Sequence, residues 1–229
     1  MSAAGPDDLA RERLRATARD QGYPEAALPA LERYVAAVVD ENARVNLTGA
    51  ATFDTALDVL AADSLAVVRA WDSACGAPRA AVDLGTGNGL PGVAVALAWP
   101  SCRVALVERR AKKAAAVARC LAVARLSGVD VVACDGRDLL RERPGLSRGV
   151  DLVTVRAVGP LAEATKEAAP WLAAGGRIAH WKPSKIAPSE AAEGDAAARA
   201  AGLLRLEDVL FRASGAEEAR RIVVLERPR

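Results

Sequence analysis

Residues able to do chemistry gather in one run, Asp83-Leu84-Gly85-Thr86-Gly87-Asn88-Gly89-Leu90-Pro91-Gly92, with further charges after it at Glu108, Asp135 and Arg156. Small apolar residues 80–82 lead into Asp83, and an apolar run over 93–99 follows the last glycine. That order reads as a buried strand, a tight turn and a helix. Glycine is wanted in such a turn because a Cβ would hold the backbone away from a bound molecule. A site of this kind lies beyond the carboxyl end of its strand, where open α/β sheets bind ligands. Glu108 directly follows a second apolar stretch, 104–107, and a carboxylate there can accept hydrogen bonds from a pair of ribose hydroxyls.

The spacing selects among nucleotide-type ligands. A dinucleotide pattern G-x-G-x-x-G is met only when read from Gly87 through Gly89 to Gly92, two residues further from the strand, and G-x-x-x-x-G-K-[ST] is absent, which excludes a P-loop. Asp83 followed by Gly85, Gly87 and Gly89 instead resembles motif I of class I S-adenosylmethionine-dependent methyltransferases. In those proteins the turn approaches the methionine and ribose parts of the cofactor. A helix over 111–126 then returns the chain, and 129–133 supplies another short strand ending at Cys134-Asp135-Gly136. Asp135 or the backbone near Gly136 can reach an adenine amino group, and Asp135 can equally be a loop or helix-cap residue. Residues 151–155 read as the central strand, which puts Arg156 at its carboxyl end beside the glycine turn. Its fork of donors suits a cofactor carboxylate or an RNA phosphate there, the alternative being a stem laid over the next helix with a solvated head.

These residues need a sheet to hold them, and the remainder of the chain supplies one. Residues 177–181 read as a strand, 186–202 as an alanine-rich helix or loop, and 203–211 with 221–225 as two last strands forming an antiparallel hairpin. Ahead of the sheet the first 80 residues look helical: a charged segment over 7–19 broken by Gly22, a second helix opened by Pro24 and Glu25, and a third capped by Asp54. In the second helix Leu28, Leu31, Val35, Val38 and Val39 share one face, so it should pack. The division expected is a helical extension over residues 1–78 and an α/β, Rossmann-like methyltransferase domain over 79–229.

With 229 residues a sizeable core is available, so neither disulfide nor metal is required to hold the fold. The four cysteines, at 75, 102, 120 and 134, form no C-x-x-C pair, and His180 is the sole histidine, so no metal site is expected. Residues 1–10 carry two aspartates and no apolar core, unlike a signal peptide, and no charge-free apolar run nears the roughly 20 residues of a membrane span. A cytoplasmic monomer without membrane partners is the expectation. Charge is unevenly divided: residues 1–80 hold 8 basic against 12 acidic side chains, net −4, and residues 81–229 hold 23 against 17, net +6. The second part can therefore present a basic face to nucleic acid. Four tryptophans, two tyrosines and two phenylalanines are too few for a visible base-stacking platform.

Asn46-Leu47-Thr48, Asp63-Ser64, the run from Asp83 to Gly92, Lys112-Lys113, Arg156-Ala157 and Leu172-x-x-Gly175-Gly176-Arg177 together resemble the RsmG (GidB) family. The match runs in order over about residues 28–183, and Gly-Leu-Pro-Gly and Asn-Leu-Thr are more specific than the glycines alone. The resemblance implies a class I S-adenosylmethionine-dependent fold with an N-terminal helical extension, and transfer of a methyl group to guanine N7 in 16S ribosomal RNA, free or in a small-subunit precursor. It implies that Gly85 and Leu90 contact S-adenosylmethionine, that the backbone at Gly136 and Arg137 holds its adenine, and that Arg156 lines the pocket. Gly87, Gly89, Glu108 and Asp135 join the cofactor set through their positions. Asn46 and Asp63 are candidate acceptors for the positive charge that the methyl transfer moves onto the purine, or else helix-pinning residues. Two other functions keep part of this reading: methylation of another RNA or a small molecule, and a non-catalytic RNA-binding module. Two positions depart from the family: Val59-Leu60-Ala61-Ala62 stands where an Arg-His pair usually precedes Asp-Ser, and Lys182 is followed by Pro183 rather than glycine. Proline should send that loop along another path.

Overall fold

The computed structural model describes residues 5–71 and 73–229, so the first four residues of the stretch 1–10 and of the expected extension lie outside what is described. Helix α1 (Pro6–Gln21) opens on proline with Asp7 and Asp8 in its first turn, complementing the helix dipole, and stops at Gly22 in the left-handed conformation. A single 3-10 turn (Glu25–Ala27) leads into α2 (Leu28–Asn42), which buries Leu28, Leu31, Tyr34, Val35 and Val38.

The third helix expected from the sequence is a succession of unlike turns. It comprises α3 (Phe53–Ala56), a π turn (Leu57–Ala61), α4 (Ala62–Leu65) and a 3-10 turn (Ala66–Ala70). Thr52, not Asp54, stands at its N-cap, and Asp54 in the first turn accepts from Thr52 Oγ1 at 2.5 Å.

The sheet portion alternates strand and helix: β1 (Ala80–Leu84), α5 (Gly92–Ala98), β2 (Arg103–Val107), α6 (Ala111–Val123), β3 (Val129–Val132), α7 (Leu139–Glu142), β4 (Val150–Arg156), α8 (Leu161–Ala168) and β5 (Leu172–Pro183). After α9 (Pro188–Ala200) come β6 (Leu204–Arg205), β7 (Val209–Phe211) and β8 (Arg220–Glu226). The spatial order is β3-β2-β1-β4-β5-β8-β6, with β7 also paired to β8. Pairs among β1 to β5 are parallel, and β8 runs antiparallel to β5.

The stretch 203–211 is thus two short strands rather than one. From Arg205 to Val209 is four residue steps, whereas their partners Leu225 and Ile222 are three apart, so one residue is extra and the edge bulges. Asp208 sits in the bulge and gathers Arg205 Nη2 at 2.9 Å and Arg221 Nη1 at 2.7 Å. Pro183 does not divert the chain from the sheet, since β5 keeps its register with β8 as far as Pro183 opposite Arg220.

Side chains alternate across the sheet. Ala81, Leu152, Ala179 and Trp181 belong to an apolar cluster shared with α1, α2, α5 and α6, while Val82, Leu84, Val153, Val155 and Ile178 join Leu161, Ala164 and Ala198 on the other face. The helical extension and one face of the sheet therefore share a single core. No helix among the described residues is long and apolar enough to cross a membrane.

Candidate active site

Register decides what meets at the site. Leu84 lies opposite both Val107 and Val155, and Val107 lies opposite Val132, so four parallel strands reach their carboxyl ends at one level. The residues that follow, Gly85, Glu108, Cys134-Asp135-Gly136 and Arg156, consequently line one cavity of about 950 Å³. Gly87, Leu90 and Arg137 also line it, and Leu47 of the extension closes one side.

The glycine turn is fixed from behind. Asp83 is fully buried and accepts from Thr154 Oγ1 at 2.6 Å and from Thr86 Oγ1 at 2.5 Å, tying β1 to β4 and to its own turn. Burial pushes its carboxyl upward from the ordinary range, opposed by these bonds and by the Gly92 N–H. Tyr34 of α2, also buried, donates its hydroxyl to Asn88 O at 2.8 Å. Gly89 has φ +89°, and a Cβ there would collide with that hydroxyl, so both the backbone angle and the close approach call for glycine. Tyr23 does similar work one turn on, donating to Ala94 O at 2.8 Å.

Glu108 bridges the turn and the next helix. Its Oε2 accepts from Gly87 N at 3.2 Å and its Oε1 from Arg110 N at 2.8 Å, which orients both oxygens and leaves lone pairs for a ligand's hydroxyls. Asp135 takes its cap alternative: it accepts from Arg137 N at 3.2 Å, Nε at 3.0 Å and Nη2 at 3.3 Å. Arg137 thereby folds back on Asp135, which lowers the carboxyl's pKa through their side-chain hydrogen bond.

Arg156 reaches the cavity wall with its head already held by the protein. Its Nη1 donates to Leu60 O at 3.2 Å and Ser64 Oγ at 3.3 Å and stands 3.5 Å from Asp63 Oδ2, while Nη2 donates to Asn88 Oδ1 at 3.4 Å. Asn88 Oδ1 in turn accepts from Leu90 N at 3.1 Å. The guanidinium thus joins the π turn of the extension to the glycine turn through protein groups, neither a ligand's anion nor a solvated head. Burial lowers its pKa, with Asp63 and Asp83 opposing, and guanidinium stays charged regardless.

Asn46 and Asp63 are not brought together at the cavity. Asn46 is exposed outside the lining, in a turn held by Asn42, whose Oδ1 accepts from Leu47 N at 2.8 Å and Thr48 N at 3.0 Å. Asp63 is buried behind Arg156, its carboxyl raised by desolvation against the pull of Arg156 and Arg220. Such placement suits pinning of the extension better than contact with a reacting group.

Besides Arg109 and Arg110 after Glu108, five lining residues carry no signal in the sequence: Val158, Gly159, Glu163, Lys166 and Glu167. They follow Arg156 on the loop and helix after β4, and no local motif marks them. Arg109, Arg110, Lys113 and Lys166 form a cationic border whose side chains have no hydrogen-bonded or ion-paired partner among the described residues. No cluster of potential metal ligands occurs among those residues.

The family model described as GidB, rRNA small subunit methyltransferase G, matches residues 27–218. The chain belongs to this family. A Roseiflexus protein named ribosomal RNA small subunit methyltransferase G is 34% identical over 155 residues, covering 68% of this chain and 64% of that one. A protein of the same name from Dehalococcoides mccartyi is 28% identical over 196 residues, covering 86% and 81%. Among solved structures, a predicted O-methyltransferase from Agrobacterium tumefaciens superposes with TM-score 0.50 at 23% identity, covering 64% of this chain and 73% of that one. The α/β fold is that of class I methyltransferases, carrying a helical extension ahead of the sheet. Two departures from the family pattern acquire a structural setting. Of the stretch Val59 to Ala62, which stands where the Arg-His pair usually is, Val59 is 52% exposed and the other three are buried, and Lys182, just ahead of Pro183, donates to Gly159 O at 3.0 Å and Glu190 Oε1 at 2.6 Å, strapping the loop after β4 to α9.

Proposed function

We propose that this protein transfers a methyl group from S-adenosylmethionine to N7 of a guanine in 16S ribosomal RNA. The observation that carries the reading is one cavity that joins a glycine turn and an oriented acid to a border of unpartnered cations. The residues present fit the cofactor. A Cβ at Gly85 would strike Val158, and one at Gly87 would meet nothing nearer than Gly85 O at 3.8 Å, so the turn offers bare backbone on the ligand side. Gly85, Gly87 and Leu90 would hold the methionine part, Glu108 the ribose hydroxyls, and the backbone from Gly136 to Arg137 the adenine. When bound, the cofactor supplies an electrophilic methyl group on a sulfonium.

The chain's own task is positioning. Guanine N7 carries a free lone pair, so no general base has to remove a proton, and alignment of the reacting atoms is worth orders of magnitude in rate. Asp83, Tyr34 and Arg156 keep the turn in one place. Arg109, Arg110, Lys113 and Lys166 would attract phosphates of the substrate strand beside the pocket. Exposed Val59 favours one variation, in which the cofactor is kept and a different RNA is the acceptor.

Labelled methyl transfer tests the reading. Purified protein with labelled S-adenosylmethionine should place 7-methylguanosine in 16S ribosomal RNA or small subunits from cells lacking the gene. Label in another RNA alone would favour the variation, and calorimetric binding of NAD without S-adenosylhomocysteine would remove the methyltransferase reading.

A further inference from the structure

Two carboxylates that no motif announced line the cavity without a hydrogen-bonded or ion-paired partner among the described residues, and of these Glu163 is exposed while Glu167 is half-buried. Glu167 projects from α8 across the carboxyl ends of the strands and rests on Gly136, just after β3. A Cβ at residue 136 would fall on Glu167 Oε1 and also lie 2.5 Å from Leu84 Cδ1, so glycine at 136 lets the carboxylate settle against the backbone. Two other carboxylates of the cavity are committed. Asp135 is held by three donors of Arg137, and Glu108 by Gly87 N and Arg110 N. Glu167 has neither a hydrogen bond nor an ion pair within reach among the described residues. Partial burial raises its pKa, with Asp135 adding to the rise and Arg137 opposing it, as expected of an acid short of donors.

A half-buried acceptor without a donor is costly unless a ligand brings one. Strand order says which part of the ligand comes here. Along the cavity lie Arg156 after β4, the glycine turn after β1, Glu108 after β2 and Gly136 after β3, and Glu167 rests on Gly136, the segment to which the adenine is assigned. We infer that Glu167 reads the cofactor's adenine by accepting a hydrogen bond from its exocyclic amino group, the part that Asp135 was expected to play. This inference rests on the proposed cofactor. Glu167 is a specificity residue rather than a catalytic one, because it rests on Gly136, where the adenine and not the methyl group is assigned.

Calorimetry on the full chain tests it with two compounds: S-adenosylhomocysteine and the analogue in which hydrogen replaces the 6-amino group. The native protein should prefer the amino compound by about tenfold or more, since a site built to bond a group rejects the ligand lacking it. Glu167→Ala should bring the two affinities within about threefold of each other, mainly by weakening the amino compound, and Glu167→Gln, which keeps a carbonyl acceptor, should fall between. Unchanged preference in Glu167→Ala, with the same melting temperature as the native protein, would overturn the role of Glu167 while leaving the cofactor reading intact. Failure of the native protein to bind either compound would overturn both.

Discussion

Behind the glycine turn and in front of it, polar groups are treated in opposite ways. Behind it, Asp83, Thr86, Thr154, Tyr34, Asn88, Arg156 and Ser64 all spend their hydrogen bonds on one another or on nearby backbone. In front, Arg109, Arg110, Lys113, Lys166 and Glu167 line the cavity with side chains that no protein group takes up. The first set, buried except for the partly buried Arg156, cross-links elements far apart in the chain. The second is exposed or half-buried and hangs from the starts of α6 and the length of α8. Thr86, Asn88 and Arg156 nevertheless line the same cavity, so a charged residue near a pocket has to be assigned by its partners rather than by its proximity.

Substitutions behind the turn should break the fold before they touch binding. Asp83→Ala strands the hydroxyls of Thr86 and Thr154 and the Gly92 N–H, and should cost about 3–5 kcal/mol of stability in a urea melt, ligand or no ligand. Unchanged stability would mean that the turn is held from elsewhere. Arg156→Ala should lower stability by about 3 kcal/mol, because Asp63 loses its main cation and three acceptors lose a donor. If that variant kept its melting temperature and lost only turnover, the guanidinium would belong to the ligand side of the comparison instead.

Much of this separation lies beyond sequence reading. Strands β1, β2 and β4, the glycine turn and Glu108 are legible because an apolar run followed by a polar residue or glycine is a local pattern. Tyr34 looks like one more core residue of an amphipathic helix, and nothing local shows that its hydroxyl meets Asn88 O, 54 positions away. Glu167 lies in an ordinary charged helix, and only the packing of α8 over Gly136 gives it a site. The expected third helix fails for a related reason: its π turn brings the Leu60 carbonyl to Arg156, a contact set by tertiary structure over helix propensity. The edge strand broke at Asp208 because two arginines from separate strands converge there.

A smaller effect probes the opposite sheet face. His180 is buried on β5 with no partner for Nε2 among the described residues, and burial pushes its pKa down to about 3. Its unfolded value is about 6.5, so as pH falls from there toward the folded value the unfolded chain gains a proton that the native state refuses. Stability should decline across that window by up to about 1.4 kcal/mol per pH unit, and His180→Leu should flatten the slope of urea midpoints between those limits. An equal slope in both proteins would assign the acid sensitivity to other groups.

The smallest change in stability is expected in front of the turn. Arg110→Ala and Lys113→Ala should each shift stability by less than about 0.5 kcal/mol, since Arg110 is exposed, Lys113 is half-buried and neither side chain is paired. Each should nevertheless lower the salt dependence of RNA binding by about 0.7 in the logarithmic slope if it neutralises a phosphate of a single strand. An unaltered slope would move the RNA to another face.

Whether this cavity serves methylation of 16S ribosomal RNA is decided by mapping 7-methylguanosine in that RNA from cells lacking the gene and from the same cells complemented with it. One modified guanine should vanish on deletion, return with the native gene, and stay absent with a gene carrying Glu108→Ala, whose product should fold but lack the ribose acceptor. An identical map in all strains, from a protein that still binds S-adenosylhomocysteine, would contradict the claim.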